Sequence, residues 1–220
     1  MKKFLLIVKP AGMTSHDVVN QVRRISGERK VGHAGTLDPF ATGLLVIGVG
    51  REMTKQLGDL VGLDKEYEAT FILGARSETD DTEGPIVPDS NPREVSRQEI
   101  ETAMQKFIGQ IDQIPPKYAA IKVKGKKLYE AARAGEEIER KPRQVRIDQF
   151  ELLDTVDNNR KLTLRIKCGS GTYIRAIARD LGEDLEIGGY VEQLRRTKVG
   201  SFNIKDAIPL KDLTKAHINA

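Results

Sequence analysis

Two stretches in which apolar and polar residues alternate, "KEYEATFIL" at 65–73 and "KLTLRIKC" at 161–168, restrict the chain most. A period of two places every second side chain on one face of a β-strand. Tyr67, Ala69, Phe71 and Leu73 therefore share an apolar face opposite Glu66, Glu68, Thr70 and Ile72. Between these strands lie helical patterns. Thr14 or Ser15 caps a helix whose Val18, Val19, Val22 and Ile25 recur at helical spacing until Gly27 stops it. Ser96 and Glu99 form a capping box ahead of a helix buried through Ile100, Met104, Phe107 and Ile108. After the Gly169-Ser170-Gly171 turn, Ile174, Ile177, Ala178 and Leu181 mark another amphipathic helix. "FLLIV" at 4–8 and "LLVIGVG" at 44–50 read as short buried strands and 51–61 as a short helix, while the acidic, turn-rich segment 74–92 reads as an exposed loop. Strands mixed with helices, without regular βαβ repetition, predict an α+β fold around a mostly antiparallel sheet. The 220 residues fit one large domain or two small ones, one compact catalytic-size domain being the simpler reading.

Charge is segregated along the chain. Residues 117–147 carry ten basic residues against four acidic ones, and 64–101 carry eleven acids against four bases. A basic segment of this kind is the footprint of a polyanion binder, and equally that of a solvated face. Apolar runs fall far short of the ~18 residues of a membrane span, "FLLIV" is too short for a secretory signal core, and Cys168 stands alone. The expectation is a cytoplasmic protein without internal disulfides. Three scattered histidines lack ligand spacing, "GSGTYIR" is not a complete dinucleotide fingerprint and "VKGKKL" lacks the first glycine of a P-loop, so no metal or nucleotide cofactor is expected.

The segment "VGHAGTLDPFATG" at 31–43 is difficult to fold as helix, because Gly32, Gly35 and Pro39 interrupt it. It reads as a stiff loop carrying one imidazole, His33, and one carboxylate, Asp38. An Asp-Pro pair most often serves turn chemistry. An acid held ionised on such a loop is also suited to nucleophilic attack, provided a cation faces it. Arg175, beside the apolar stripe of its helix, is the candidate partner. Tyr67 and Tyr173 fit core packing as well as contact with a base.

Taken together, "GHAGTLDPFATGLLVIGVG" at 32–50, "LLIVKPAGMTSHDVV" at 5–19, "KEYEATFILGARSETDDTEG" at 65–84, "IPPKYAAIKVKGKKLYEAARAGEEIERKPRQVRI" at 114–147, "CGSGTYIRAIARDLGEDL" at 168–185 and "LRRTKVGSF" at 194–202 resemble the TruB type of tRNA pseudouridine-55 synthase over nearly the whole chain. The resemblance implies the pseudouridine synthase fold, a central mixed and mostly antiparallel sheet flanked by helices. It implies one catalytic domain over 1–220 with an RNA-gripping insertion at about 114–147, and no C-terminal PUA domain. Asp38 would be the catalytic aspartate, attacking either the ribose or the base; Arg175 would pair with it, and Tyr67 would lie against the flipped uracil as a candidate general base. His33 would contact nucleotides displaced from the RNA loop, Lys9 and Pro10 would support the pocket, Leu194 would line it, and Tyr173, Lys126 and Lys127 would join the RNA-binding set. No cofactor is implied. The partner is the T stem-loop of tRNA, with no membrane, no required protein partner and a monomeric state. Two other readings are a relative modifying ribosomal RNA with a guide-RNA complex, and an RNA chaperone that refolds the tRNA elbow without chemistry.

Overall fold

The structure is a computed structural model that describes residues 4–90, 93–119 and 138–219, with the backbone of 122–123 and 126–127. In chain order the elements are β1 (Leu5–Lys9), α1 (Ser15–Ser26), β2 (Val31–Ala34), β3 (Thr42–Val49), α2 (Gly50–Val61), β4 (Lys65–Leu73), β5 (Ala75–Ser77), β6 (Ile86–Pro88), α3 (Arg97–Gln105), β7 (Gly109–Gln113), β8 (Lys122–Val123), β9 (Lys126–Lys127), β10 (Arg143–Val156), β11 (Lys161–Cys168), α4 (Ile174–Asp184), β12 (Gly189–Val199), β13 (Phe202–Asn203), β14 (Ile208–Pro209) and α5 (Lys215–Asn219). The chain forms two compact units, residues 1–68 with 193–220, and residues 69–192. The predicted class holds: the sheet is mixed and mostly antiparallel, and among the registered pairs only β1–β14 and β3–β12 are parallel.

In the first unit the strands lie in the order β14-β1-β3-β12-β4, with β2 also on β3 and β13 on β12. The unbroken apolar run of β3 follows from burial on both faces. Leu45 and Ile47 pack with Leu5, Ile7 and the Val18, Val19 and Val22 stripe of α1. Leu44 and Val46 pack on the other face with Ala34, Val199 and Leu57 of α2. Such a strand has no polar face to alternate with. Helix α1 begins and ends as the sequence predicts: Thr14 accepts from the Asp17 amide in a capping box, and Gly27 closes the helix at φ 74°.

In the second unit β11 pairs β10 and β10 pairs β7, all antiparallel, with β4 and β12 alongside in the order β12-β4-β11-β10-β7. Its core holds the rings of Phe71, Phe150 and Phe107, the last two meeting edge-on at 6.0 Å. Ile174, Ile177, Ala178 and Leu181 of α4 are buried. A Cβ at Gly182 would lie 2.2 Å from the Gly188 carbonyl carbon, so only glycine lets α4 approach this closely.

Three expectations are corrected. Segment 74–92 contains a hairpin, β5–β6, paired Ala75↔Pro88 to Ser77↔Ile86; β6 is exposed throughout, so no apolar alternation announces it. Helix α3 ends at Gln105, and Ile108 is exposed rather than on its buried face. His33 stands on strand β2, paired with Ile47 of β3, and not in a loop; Gly32 and Gly35 conceal the strand in the sequence. Lys126 and Lys127 form β9, opposite Val123 and Lys122 of β8, and their side chains lie outside the described residues.

Candidate active site

Asp38, partly exposed, sits between two strand ends on a segment whose backbone is anchored on both sides. Before it, the Leu37 amide donates to Oγ of Ser15 at 2.9 Å, and that hydroxyl donates to the Leu37 carbonyl at 3.2 Å. At Asp38 itself, the carbonyl accepts from the Ala41 amide at 3.1 Å, closing a turn through Pro39. After it, the Pro39 carbonyl accepts from the Gly12 amide at 2.9 Å and from Nζ of Lys9 at 3.1 Å. Lys9 is fully buried, and its ammonium also donates to the carbonyls of Pro10 and Met13 at 2.8 and 2.6 Å. Its three donors thus tie the end of β1 and the turn before α1 to the Asp38 loop. Pro10 itself is exposed.

A second buried cation approaches the same segment from β12. Arg196, 1% exposed, donates from Nε to the Leu44 carbonyl at 2.9 Å, from Nη2 to that of Gly35 at 3.0 Å and from Nη1 to that of Thr36 at 3.4 Å. Strand β12 runs parallel to β3 here, with Arg196 beside Gly43. Gly43 has φ +107°, and a Cβ there would lie 2.3 Å from the Arg196 carbonyl oxygen. The contact requires glycine twice over, for its backbone angle and for the space.

His33, on β2, is only partly buried. Burial first, and the Arg196 guanidinium second, hold its imidazole below the ordinary histidine range, so it is neutral at pH 7. Tyr67, 8% exposed, is on the buried face of β4, as the alternation requires, and Leu194 is similarly buried on β12 with its carbonyl accepting from Oγ1 of Thr42 at 3.4 Å.

In the second unit Arg175 lies in the first turn of α4, 4% exposed. One carboxylate at it is that of Asp81, with Oδ2 3.1 Å from Nη1. Nη1 also donates to the Thr79 carbonyl at 2.9 Å, and Nη2 to that of Tyr118 at 3.2 Å. Asp81 is in turn fixed by the Thr79 hydroxyl at 2.5 Å and the Glu83 amide at 2.9 Å. Tyr173 caps α4 through its backbone: its amide donates to Oε1 of Gln113 at 2.8 Å, and Nε2 of Gln113 donates back to its carbonyl at 3.1 Å. Next along the acidic loop, Asp80 pairs with Arg179 at 3.1 Å. Burial pushes its carboxyl up to about 6 against the pull of Arg179, Arg175 and Arg140. Arg179 also donates to the Ile114 carbonyl and Arg140 to that of Pro115, both at 2.9 Å, at the root of the basic insertion.

The sequence reading did not single out Ser15 and Arg196 as holding the Asp38 loop in the first unit, nor Asp81 and Gln113 as holding Arg175 and Tyr173 in the second. Arg196 did leave a signal: it shares strand parity with buried Leu194, which puts a charged side chain at a core position. Among the described residues no group of three His, Cys, Asp or Glu side chains is placed to hold a metal.

The mostly antiparallel sheet that carries the Asp38 loop has counterparts among known structures. The structure matches a chain of the Cbf5-Nop10-Gar1 complex with TM-score 0.74 at 29% identity, covering 96% of this chain and 53% of that one. It matches a chain of the H/ACA RNP bound to a substrate RNA containing 2'-deoxyuridine with TM-score 0.71 at 26% identity, covering 96% and 51%. The fold is that of the pseudouridine synthases. Residues 23–174 match the model of the TruB family pseudouridylate synthase N-terminal domain, and residues 175–220 that of the tRNA pseudouridylate synthase B C-terminal domain. The chain belongs to the TruB family of pseudouridylate synthases. It is 49% identical over 211 residues to tRNA pseudouridine synthase B of Mycobacterium sp. strain KMS, and 47% identical over 211 residues to that of Corynebacterium glutamicum strain R, in each case covering 95% of this chain and 71% of the relative. No helix among the described residues is long and apolar enough to cross a membrane.

Proposed function

We propose that the protein isomerises uridine to pseudouridine in the T arm of tRNA, at position 55, with Asp38 as the catalytic carboxylate. The observation that carries this is the loop of a pseudouridylate synthase family member that holds Asp38 by hydrogen bonds to both neighbours, Leu37 and Pro39. Carboxylate attack needs an oriented, ionised acid, and a loop fixed before substrate arrives supplies the orientation.

The reaction breaks the bond from N1 of uracil to the ribose, turns the base, and joins its C5 to the same ribose carbon. Atoms are conserved, and the proton displaced from C5 passes to N1. Asp38 captures either the electron-poor ribose carbon or the base itself, with Arg175 as the countercharge that keeps it ionised. The target base is stacked in the free RNA, so it is flipped into the site, where Tyr67 lies against it and Leu194 lines the wall. His33, neutral at pH 7, offers one donor and one acceptor to the displaced nucleotides. Tyr173 and the basic insertion, with Lys126 and Lys127, hold the RNA backbone, while Lys9 and Pro10 support the pocket. Similarity to tRNA pseudouridine synthases B supports tRNA as the substrate. The reading places the enzyme in the cytoplasm, as a monomer that needs neither cofactor nor protein partner.

Incubation with unmodified tRNA, without guide RNA or added protein, followed by chemical mapping of pseudouridine, tests this. Modification of the single T-arm uridine is expected. Modification only when a guide RNA is supplied would favour a ribosomal RNA substrate, and tight binding without product would favour a chaperone.

A further inference from the structure

Beneath the Asp38 loop lies a buried guanidinium that the reaction chemistry does not call for. Arg196 is 1% exposed, and no ion pair among the described residues includes it; its partners are the carbonyls of Gly35, Thr36 and Leu44. A cation buried against neutral dipoles alone is an expensive way to fill a core position, and an unbranched apolar side chain of similar reach would serve stability as well or better. The placement of its partners explains the expense. Gly35 and Thr36 precede Asp38 in the chain and Leu44 follows it, so one planar fork closes the loop at both ends, 2.9 Å to one side and 3.0 Å to the other. A lysine, with a single charged atom, cannot span both.

We propose that Arg196 is a positioning residue for pseudouridine formation, acting through the backbone of residues 35–44 to hold Asp38 in the geometry of attack. The proposal rests on the assignment of Asp38 as the catalytic carboxylate. The backbone contact of β12 with Gly43 anchors the guanidinium from behind, since Arg196 and Gly43 are register partners between parallel strands. The loop therefore has a second brace, independent of Lys9 and Ser15. Arg196 also reinforces the neutrality of His33, so its removal is felt at two groups of the site.

The test uses the full chain with Arg196→Lys and Arg196→Ala, a T stem-loop RNA, and single-turnover kinetics measured well below each variant's melting temperature. Arg196→Lys should stay folded, bind RNA within about threefold of the parent and lose about a hundredfold in rate, the loss that a displacement near 1 Å brings. Millimolar guanidinium ion should restore part of the rate of Arg196→Ala, because the free ion fits the space left by the side chain; a merely structural role gives no such rescue. Parental turnover by Arg196→Lys, or loss in Arg196→Ala that follows the unfolded fraction and resists rescue, would overturn the proposal. Asp38→Asn in the same assay separates the two ideas. If it turns over normally the Asp38 assignment is wrong; if it is inactive while Arg196→Lys is fully active, only the positioning role fails.

Discussion

Ser15→Ala removes one hydroxyl and tests how the Asp38 loop is held. Ser15 is 2% exposed, and its Oγ is the acceptor for the Leu37 amide at 2.9 Å, while Leu37 itself is 4% exposed. Removing the acceptor leaves a buried N–H without this partner, at a cost of about 2 kcal/mol within the usual range for such losses. Helix α1 offers little compensation or penalty, because Ser15 is its first residue, Thr14 is the cap, and alanine is a good helix former. In a chain of this size about 2 kcal/mol lowers the melting temperature by roughly 4–8 °C. Leu37 adjoins Asp38, so the rate of pseudouridine formation should also fall, with KM for a T stem-loop nearly unchanged. Thermal unfolding and steady-state kinetics on the same preparation measure both effects. A variant that melts within about 1 °C of the parent and keeps its kcat would refute the claim that this hydrogen bond holds the loop.

Gly43→Ala places a Cβ 2.3 Å from the Arg196 carbonyl at φ +107°, and should destabilise by at least about 2 kcal/mol from backbone strain alone; urea unfolding checks this. Asp80 and His33 should give pH slopes of opposite sign. The folded carboxyl of Asp80 titrates at about 6, above its ordinary 3.8. The folded state therefore holds the extra proton between these values, stability falls as pH rises through that window, and Asp80→Asn should remove the slope. His33 is harder to protonate when folded; its contribution is present above about 6.5 and lost as pH falls, so His33→Asn should flatten the acid limb of urea midpoints. Tyr67→Phe keeps the packed face of β4 and should bind RNA normally while slowing the chemistry; parental turnover would make Tyr67 a packing surface only.

The parts of the fold legible in the sequence were those in which one local pattern suffices. Period-two alternation located β4 and β11 to the residue, the capping box at Ser96 located the start of α3, and the choice of Thr14 or Ser15 as cap located that of α1 to within one residue. Where tertiary pairing decides, the pattern failed. Strand β2 is short, contains Gly32 and exists through its pairing with β3, and β6 exists through its pairing with β5 while fully exposed. The site divides in the same way. Asp38 stood out only as an acid on a stiff loop, where an Asp-Pro pair most often serves turn chemistry, and its catalytic role came from the family resemblance. The groups that hold it come from distant sequence: Lys9 and Ser15 precede it by more than twenty residues, and Arg196 follows by more than one hundred and fifty. Asp81 could not be told from Asp80 in "TDDTEG", although one carboxylate meets Arg175 and the other Arg179.

The central claim is that Asp38 carries the reaction, and the most direct measurement is pseudouridine formation by Asp38→Asn on unmodified tRNA. The substitution keeps the size of the side chain and leaves the Ser15, Lys9 and Arg196 contacts to the loop backbone in place. The account predicts a folded protein that binds the RNA with parental affinity and forms no pseudouridine at the T-arm uridine. Near-normal turnover by Asp38→Asn would contradict it.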